Sequence, residues 1–482
     1  MLRYGLPAIV LLFLSIQSAF AYEPVVLKEG VDHVRLGPQM DYLEDANGEW
    51  SIEDVTREPV ADKFQPLLMA FPNFGFTRSA YWLRFEITNS TDKPIKLLLE
   101  QEMAWMNLVE LYILDKTEQP DIRRAGVNYP FSEREFIHNH FLFALDLKHG
   151  ESKTLYLKLE CDLPIIAPLN IWEREAFWQS SNKLAYYYGF LFGSLLFAFL
   201  YNSFLFITLR EWVYFCYSLL VASVFMLYFS TEGFAFQYLW PEYSQIVNRA
   251  TISFSSMFSF SLLLFSSVFL DLKTYFPKLD KAFKTLMLIY ALLIPVNLLN
   301  HDLASTISLP MVFANLVLIL MLSAGLVSLI SGNRSARFYV LGSTATFLGS
   351  SVNVAWSFGL TPANNIYYHA IGIGTLIDVI LLSFALSDRV KILREEKEAA
   401  QVAVIDSERM AMENMAKAKD ELEVKVEERT HELSMEKERA EQSKEQAEKA
   451  KEQAEQAKEQ AEQANKLKDQ FVTLVSHDLR AP

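Results

Sequence analysis

Seven apolar stretches in the second half of the chain constrain its fold more than any other feature. They lie near 184–209, 212–230, 250–270, 283–299, 306–330, 336–360 and 366–387. A helix needs about 17–25 apolar residues to cross a bilayer; most of the stretches reach that length, and the fourth is at its lower limit. The sequence therefore predicts a membrane protein with a seven-helix transmembrane bundle over residues 184–387.

Lysine and arginine are distributed very unevenly over the connections between these stretches. If the residues before the bundle lie outside, the outside connections carry only Arg249, whereas the inside connections carry eleven basic residues. The eleven are Arg210, Lys273, Lys278, Lys281, Lys284, Arg334, Arg337, Arg389, Lys391, Arg394 and Lys397. Basic residues accumulate on the cytoplasmic side of membrane proteins. The asymmetry predicts an extracellular or periplasmic N-terminal domain and a cytoplasmic C-terminus.

The first 21 residues have the pattern of a secretory signal peptide. Arg3 precedes an apolar run from about residue 6 to 16, and Ala19-Phe20-Ala21 forms an A-x-A cleavage site. An uncleaved membrane anchor is the alternative. The short run and its small-residue exit favour cleavage after Ala21.

Residues 22–180 have the alternating pattern of β-strands. "YWLRFEITN", "IKLLLEQ", "LVELYIL", "FLFALDL" and "KTLYLKLE" are separated by turn-rich pieces such as "NSTDKP" and "LKHG". In the first of these, alternation places Leu83, Phe85 and Ile87 on one face and Trp82, Arg84, Glu86 and Thr88 on the other. Short strands at regular spacing predict an extracellular all-β sandwich.

Residues 388–465 form a polar helical segment with an alanine seam. Alanines recur at alternating spacings of three and four, at 447, 450, 454, 457, 461 and 464. This heptad pattern predicts a parallel coiled coil that makes the chain a homodimer. A solvated single helix or a disordered low-complexity tract also fits the composition. The dimer-forming element that follows favours the coiled coil.

The last segment, 466–482, contains "FVTLVSHDLRAP". On a helix, five apolar residues of this stretch fall on one arc of about 140°. They are Phe471, Leu474, Val475, Leu479 and Pro482. Asp478 lies on the same arc, whereas His477 points away from it beside Thr473 and Arg480. The pattern predicts a bundle face with an exposed imidazole.

"SHDLRAP" closely resembles the phospho-acceptor box of sensor histidine kinases, at the start of their dimerisation domain. The resemblance covers about the last 15 residues. It implies that His477 attacks the γ-phosphate of ATP as a neutral imidazole and that Asp478 orients the ring. It also implies a cytoplasmic response regulator as partner. Many relatives carry Thr or Asn where this chain has Ala481, so the phosphatase half of the family pattern lacks its usual side chain.

An ATP-binding domain is absent from these 482 residues, because no glycine follows Gly374 and no Gly-rich phosphate loop occurs in the cytoplasmic part. The expectation is that the polypeptide cannot phosphorylate itself and needs ATP and Mg²⁺ bound by a kinase domain elsewhere. It would then be an excised fragment, a truncated gene product or a substrate acted on in trans. Truncation of a kinase is favoured, since a rod that aligns two histidines needs a phosphoryl donor.

The front of the chain resembles the bacterial seven-transmembrane receptors with diverse intracellular signalling modules. The stretch 79–114 is similar to the core of their extracellular domain, and the resemblance runs to about Ser387. It implies a jelly-roll sensor domain in a multi-pass protein of the bacterial inner membrane, in contact with lipid. It also implies a small polar extracellular ligand, such as a carbohydrate. Trp82, Trp105 and Trp172 are weak stacking candidates, since a tryptophan in a sandwich is more often core.

Asp378 is an acid within the last apolar stretch and so a candidate functional residue. A structural hydrogen bond to Asn353 or Asn315 is favoured for it. A transporter, channel or photoreceptor is the rival reading of the bundle, although no lysine in 366–387 could bind retinal. A non-enzymatic receptor that recruits a partner through its coiled coil is the second functional hypothesis.

Other site classes receive no support from the sequence. The net charge is −14, and no basic stripe interleaves with aromatics, so a nucleic-acid partner is not expected. Cys161 and Cys216 fall in different predicted compartments, which argues against a disulfide or a metal cluster.

Overall fold

The computed structural model describes residues 24–114, 120–300, 308–357, 360–361 and 365–478. Side chains are described for the same residues except 308–315, 357, 365, 393, 396, 474 and 476–478. The predicted signal peptide, residues 1–21, lies outside this range.

Thirteen strands occupy the described part of the N-terminal region. They are β1 (Val25–Leu27), β2 (His33–Leu36), β3 (Asp41–Asp45), β4 (Gln65–Pro66), β5 (Asn73–Gly75), β6 (Ala80–Asn89), β7 (Ile95–Gln101), β8 (Leu108–Leu114), β9 (Asp121–Ala125), β10 (Phe141–Leu147), β11 (Ser152–Glu160), β12 (Ile165–Ile166) and β13 (Leu169–Glu173). The five strands predicted from alternation correspond to β6, β7, β8, β10 and β11. The all-β character of this region is therefore confirmed.

The helices follow from Arg174 onward, apart from one short helix within the β region. They are α1 (Ile52–Val55), α2 (Arg174–Leu209), α3 (Trp212–Thr231), α4 (Phe234–Tyr238), α5 (Val247–Phe269), α6 (Leu272–Tyr275), α7 (Pro277–Leu299), α8 (Ser308–Ile330), α9 (Ala336–Ser357) and α10 (Asn365–Asp478). Three 3-10 turns are also present, at Ala61–Lys63, Phe131–Glu133 and Ser244–Ile246. The first long helix starts directly after β13, ten residues before the predicted apolar stretch at 184.

The strands form two main sheets that enclose the core. One has seven strands, ordered β4-β3-β6-β11-β8-β9 with β1 added in parallel to β6, and the other has four, ordered β10-β7-β13-β2. Leu83, Phe85 and Ile87 of β6 are fully buried in the core, where they meet Leu97 and Leu99 of β7. Alternation in each strand thus places one apolar face toward the other sheet, as predicted.

The opposite face of β6 carries a second apolar cluster. Trp82 on that face is also fully buried, in a second small core with Tyr112, Tyr156 and residues of α1. Ser51 caps α1 in a reciprocal arrangement with Asp54, which fixes this one-turn helix over the sheet. The helix covers the face because its Ile52 and Val55 point inward.

Five helices within the described residues are long and apolar enough to cross a membrane. They are Arg174–Leu209, Trp212–Thr231, Ser244–Phe269, Pro277–Leu299 and the apolar start of the helical range Ile366–Thr473 within α10. Helices α8 and α9 occupy the fifth and sixth predicted stretches. Seven membrane crossings therefore stay a prediction, while the membrane-protein character of the region is confirmed.

Small residues let helices α9 and α10 approach closely. A Cβ added at Gly349 would lie 2.5 Å from the carbonyl oxygen of Ala370, and one at Gly374 would lie 2.5 Å from that of Ala345. Both glycines are therefore required for close backbone contact, the usual role of small residues between membrane helices. This packing fixes the first turns of α10 against the rest of the bundle.

The chain divides into two compact units, Met1–Val390 and Lys391–Pro482. The described part of the second unit is the continuation of α10, and every described side chain from 397 to 475 is exposed. A long helix without an intramolecular partner needs another source of stability, such as a second helix. The parallel coiled coil remains a prediction for this segment.

Candidate functional site

A buried polar cluster lies on the outer face of the four-stranded sheet, where helix α2 begins. Glu100 is at its centre, on β7 between the neighbouring strands β10 and β13. Its Oε1 accepts a hydrogen bond from His140 Nδ1 at 2.6 Å, and its Oε2 accepts from Trp172 Nε1 at 2.7 Å and Asn170 Nδ2 at 3.1 Å. Phe177 of α2 packs beside this face, which keeps water away from the carboxylate.

The cluster extends along the strand to a second carboxylate. Glu102 accepts a hydrogen bond from Asn170 Nδ2 at 2.6 Å and lies 3.7 Å from Arg35 Nη2. Asn170 also bonds His33 through its Oδ1 at 3.0 Å, and the His33 ring stacks on Trp172 at 3.9 Å. Glu102 directly follows the last residue of β7, and Asn170 Nδ2 donates to both carboxylates, so Glu100 and Glu102 lie on the same side of the sheet.

Burial and pairing set the charges of this cluster. Burial alone would raise the pKa of Glu100, but hydrogen bonds from His140 and Trp172 hold it below its ordinary value. Burial would likewise lower the pKa of His140, but the Glu100 carboxylate keeps it raised. Burial and nearby His140 lower the pKa of His138 to about 3. The cluster therefore holds one ion pair, Glu100 with His140, beside a neutral His138.

The same segment of chain connects the cluster to the membrane helices. His138 Nε2 bonds Ser181 Oγ of α2 at 3.0 Å, and Asn139 Nδ2 donates to the carbonyl oxygen of Glu232 at 2.9 Å. The Glu232 carboxylate, at the end of α3, accepts from Tyr188 Oη of α2 at 2.6 Å and from Tyr368 Oη of α10 at 3.2 Å. Glu232 thus ties three membrane helices to the sensor segment that contains His138 and Asn139, through its carboxylate to α2 and α10 and through its backbone carbonyl oxygen to Asn139.

Two further contacts join the sensor sandwich to the helices. Trp356 of α9 stacks on Phe71 with ring centroids 5.3 Å apart, and it belongs to the sandwich core. Asn248 of α5 donates through Nδ2 to the Trp105 carbonyl oxygen at 3.1 Å and to Asn107 Oδ1 at 2.9 Å. Displacement of the sandwich would therefore disturb α2, α3, α5, α9 and α10, which makes this interface the candidate site of signal coupling.

The three tryptophans expected as ligand-stacking candidates lie apart from one another. Trp82 is fully buried beneath α1, so no face of its ring reaches solvent. Trp105 is partly buried and donates to the Pro164 carbonyl oxygen at 3.3 Å. Trp172 is partly buried and belongs to the Glu100 cluster. The structure does not bring them into one binding surface.

Asp378 is buried in α10 and faces Gly342 of α9. Thr346 of α9 donates through Oγ1 to the carbonyl oxygen of Gly374 at 3.5 Å. Of the two partners expected from the sequence, Asn353 donates to the carbonyl oxygen of Tyr368 at 2.9 Å, and the side chain of Asn315 lies outside the described residues. Asp378 Oδ1 is left without a hydrogen bond.

His477 and Asp478 fall at the end of α10, but their side chains lie outside the described residues. The exposed imidazole and the apolar arc of the last segment therefore stay predictions. Within the described chain, no group of three or more His, Cys, Asp or Glu residues could hold a metal ion.

Sequence reasoning missed the Glu100 cluster, although a signal was present. "EQE" at 100–102 and "HNH" at 138–140 place charged or titratable residues two apart, beside otherwise apolar strands. Glu100 lies on β7, whereas Glu102, His138 and His140 lie just beyond the ends of β7 and β10, on the side against which α2 packs. Only the neighbouring helix identifies the face as an interface.

Comparison with protein families assigns both halves of this arrangement. The family described as "7TM diverse intracellular signalling" matches residues 184–389, and "7TMR-DISM extracellular 2" matches residues 37–173. No curated protein matches the chain. The two matched regions meet at the interface built around Glu100 and Glu232. The chain is therefore a transmembrane signalling receptor that carries the extracellular sensor domain and the membrane domain of the 7TMR-DISM family.

Proposed function

We propose that this receptor is a sensor histidine kinase of a two-component phosphorelay in the bacterial inner membrane. The observation that carries the proposal is the box "SHDLRAP" at the end of the helix that leaves the membrane domain. Tyr368, which bonds Glu232 beside the sensor, and His477 belong to that same helix, α10. A displacement at the sensor interface can therefore reach the proposed phospho-acceptor along a single helix.

In the proposed reaction, His477 is the nucleophile and ATP is the substrate. A neutral imidazole nitrogen attacks the γ-phosphorus in line, the bond to the β,γ-bridging oxygen breaks, and ADP leaves. Asp478 accepts a hydrogen bond from the other ring nitrogen, which fixes the tautomer and increases the basicity of the attacking nitrogen. The phosphoryl group then passes to an aspartate of a response regulator.

The alanine seam supports a rod that responds to small displacements. A buried Leu has three more carbons than Ala, so each alanine core position forgoes roughly 2 kcal/mol of burial at about 0.8 kcal/mol per carbon. Two helices joined this way lie close together but are held weakly. A small shift or rotation delivered by α10 can then change the relative position of two histidines.

A transfer experiment tests the proposed function directly. The chain in nanodiscs, incubated with ATP and Mg²⁺ and with the ATP-binding domain of a related kinase as a separate polypeptide, is expected to gain an acid-labile, base-stable phosphate. That stability pattern identifies a phosphoramidate. An acid-stable phosphate, or none, would favour the non-enzymatic receptor that recruits a partner through its coiled coil.

The orientation of the membrane domain gives a first prediction. A reporter that is active only in the cytoplasm is expected to be active when fused after Ser387 and silent when fused after Asn300, because eleven basic residues lie on the connections assigned to the inside. The reverse pattern of activity would contradict both the orientation and the kinase proposal.

The coiled coil gives a second prediction, on assembly. In a variant whose Cys161 and Cys216 are replaced by Ser, a single cysteine at Ala454 or Ala461 is expected to form an interchain disulfide much faster than one at Glu455. Ala454 and Ala461 lie on the heptad seam, whereas Glu455 lies off it. Oxidation followed by non-reducing electrophoresis measures the rates, and equal rates at all three positions would indicate a monomeric helix.

A further inference from the structure

The open edge of the sandwich contains a cleft of about 370 Å³. It lies between β9, the last strand of the seven-stranded sheet, and β10, the last strand of the four-stranded sheet. Residues 123–125, 133–135 and 141–144 line it. Sites for small molecules have volumes of about 300–1,000 Å³, and this cleft lies within that range, with charged residues making up half of its lining.

Three arginines line the cleft, and two of them have acidic partners. Arg123 pairs through Nη2 with Asp121 Oδ2 at 2.9 Å and through Nη1 with Glu135 Oε1 at 3.2 Å. Arg124 pairs through Nε with Glu110 Oε1 at 2.9 Å. The positive charges of Arg123 and Arg124 are therefore each compensated by a carboxylate of the chain.

Arg134 differs from both. Its Nη1 donates to the carbonyl oxygens of His138 at 2.8 Å and Asn139 at 3.2 Å, and its Nε is buried without a hydrogen bond. The guanidinium carbon lies 4.3 Å from the ring centroid of Phe131 and 4.4 Å from that of Phe141. Among the described residues, no carboxylate forms an ion pair with it. The exposed Glu133, its neighbour in the chain, forms none.

The Arg134 guanidinium thus has aromatic rings and carbonyl oxygens as neighbours, but no carboxylate partner among the described residues. Aromatic faces and carbonyl dipoles stabilise a guanidinium, but a desolvated cation without an anion remains costly. Burial lowers the pKa of Arg134 to about 9, so the group is still charged at neutral pH. A planar guanidinium prefers a carboxylate or a phosphate, which it binds through two parallel hydrogen bonds.

We propose that the cleft binds a small molecule carrying a carboxylate or phosphate group, with the Arg134 guanidinium as the anchor of that group. The inference rests on the receptor function and adds the ligand's chemical class and its place in the sensor domain. A bound anion would supply the negative charge that no described carboxylate provides at this arginine.

The position of the cleft also links it to the membrane helices. The Arg134 guanidinium carbon lies 5.3 Å from the ring centroid of Phe236, in the connection between α3 and α5. Phe131 N donates to the Pro241 carbonyl oxygen at 2.7 Å in the same connection. Asn139, whose carbonyl oxygen holds Arg134, bonds Glu232 through its side chain. Movement of Arg134 toward an anion would therefore displace residues of the coupling interface.

Calorimetric titration of the full chain in nanodiscs tests the proposal with three matched probes: D-glucuronate, D-glucose 6-phosphate and D-glucose. At least one anionic sugar is expected to bind about tenfold or more tightly than glucose. Which of the two anions binds better distinguishes a carboxylate from a phosphate ligand. Added NaCl is expected to weaken that binding because it screens the charge interaction. Binding does not require phosphorylation, so this result is independent of the kinase proposal.

Arg134→Lys and Arg124→Lys are the matched variants, since both arginines line the cleft but only Arg124 has an acidic partner. Arg134→Lys is expected to weaken the anionic sugar about tenfold or more, since an ammonium lacks the planar fork. Arg124→Lys is expected to change it less than about threefold. Unfolding midpoints identify a variant that has lost its structure. In that case the proposal is judged on the wild-type chain, by its preference for an anionic sugar over glucose and by the salt dependence of that binding. Equal binding of all three sugars, or no binding up to about 10 mM, overturns the proposal.

Discussion

Replacing His477 with Gln is expected to abolish labelling of the chain in the transfer experiment. Glutamine has no nucleophilic nitrogen that could accept the phosphoryl group, whereas its size and polarity suit an exposed helical position. The dimer should be unchanged, because a residue off the apolar arc contributes little packing. Labelled phosphate in the acid-labile fraction, measured as an initial rate, is the readout.

His431→Gln is a demanding control for this experiment. His431 lies on the same helix, is exposed, and is also followed by an acid and a leucine, in "THEL". It lacks the Arg and Pro that complete the box, so its replacement is expected to leave labelling at the wild-type rate. Asp478→Asn should slow labelling strongly without removing the acceptor. Wild-type labelling of His477→Gln would contradict the assignment of the phospho-acceptor.

Glu100→Ala is expected to destabilise the docked sensor domain by about 3–5 kcal/mol, the cost of breaking a buried ion pair by removing one partner. The variant leaves the His140 cation, Trp172 Nε1 and one Asn170 hydrogen bond without their acceptor. Hydrogen exchange of the β7 and β13 amides in the full chain measures the opening free energy. Glu53→Ala, at an exposed position on α1, is expected to change it by less than about 0.5 kcal/mol.

The effect of Glu100→Ala should depend on pH in a defined direction. The pKa of Glu100 is lowered on folding, so its contribution is complete above its unfolded value of 4.5 and is lost as pH falls through the folded pKa. The pKa of His140 is raised, so its contribution is complete below 6.5 and is lost as pH rises through the folded pKa. The difference between wild type and variant should be largest between these two values.

Two other groups of the cluster titrate in the opposite sense. The pKa of His138 is lowered on folding, so this residue disfavours the folded state as pH falls below 6.5. The pKa of Glu102 is raised on folding by burial and by neighbouring Glu100. The measured quantity is therefore the wild-type minus variant difference at each pH. A difference that does not change between pH 4 and 8 would contradict the assignment of Glu100 and His140 as an ion pair.

Local patterns in the sequence were sufficient to locate the main strands and helices. Alternation located β6, β7, β8, β10 and β11, because a period of two along a strand follows from backbone geometry alone. Apolar length located the membrane helices, because the bilayer sets how many residues must avoid water. The box around His477 is also a local pattern, and the phospho-acceptor role proposed for it stays a prediction.

Tertiary structure alone decided where the coupling interface lies. The bonds that define it join residues far apart in the chain, such as Asn139 to Glu232 and Tyr368 to Glu232, separated by 93 and 136 positions. It also provides the observation behind the proposed anionic ligand, because only the fold shows that three phenylalanines surround Arg134. Sequence patterns report which side of a strand or helix is apolar. They do not report which element packs over a polar face. The free-energy cost of a charge on that face depends on whether such an element buries it.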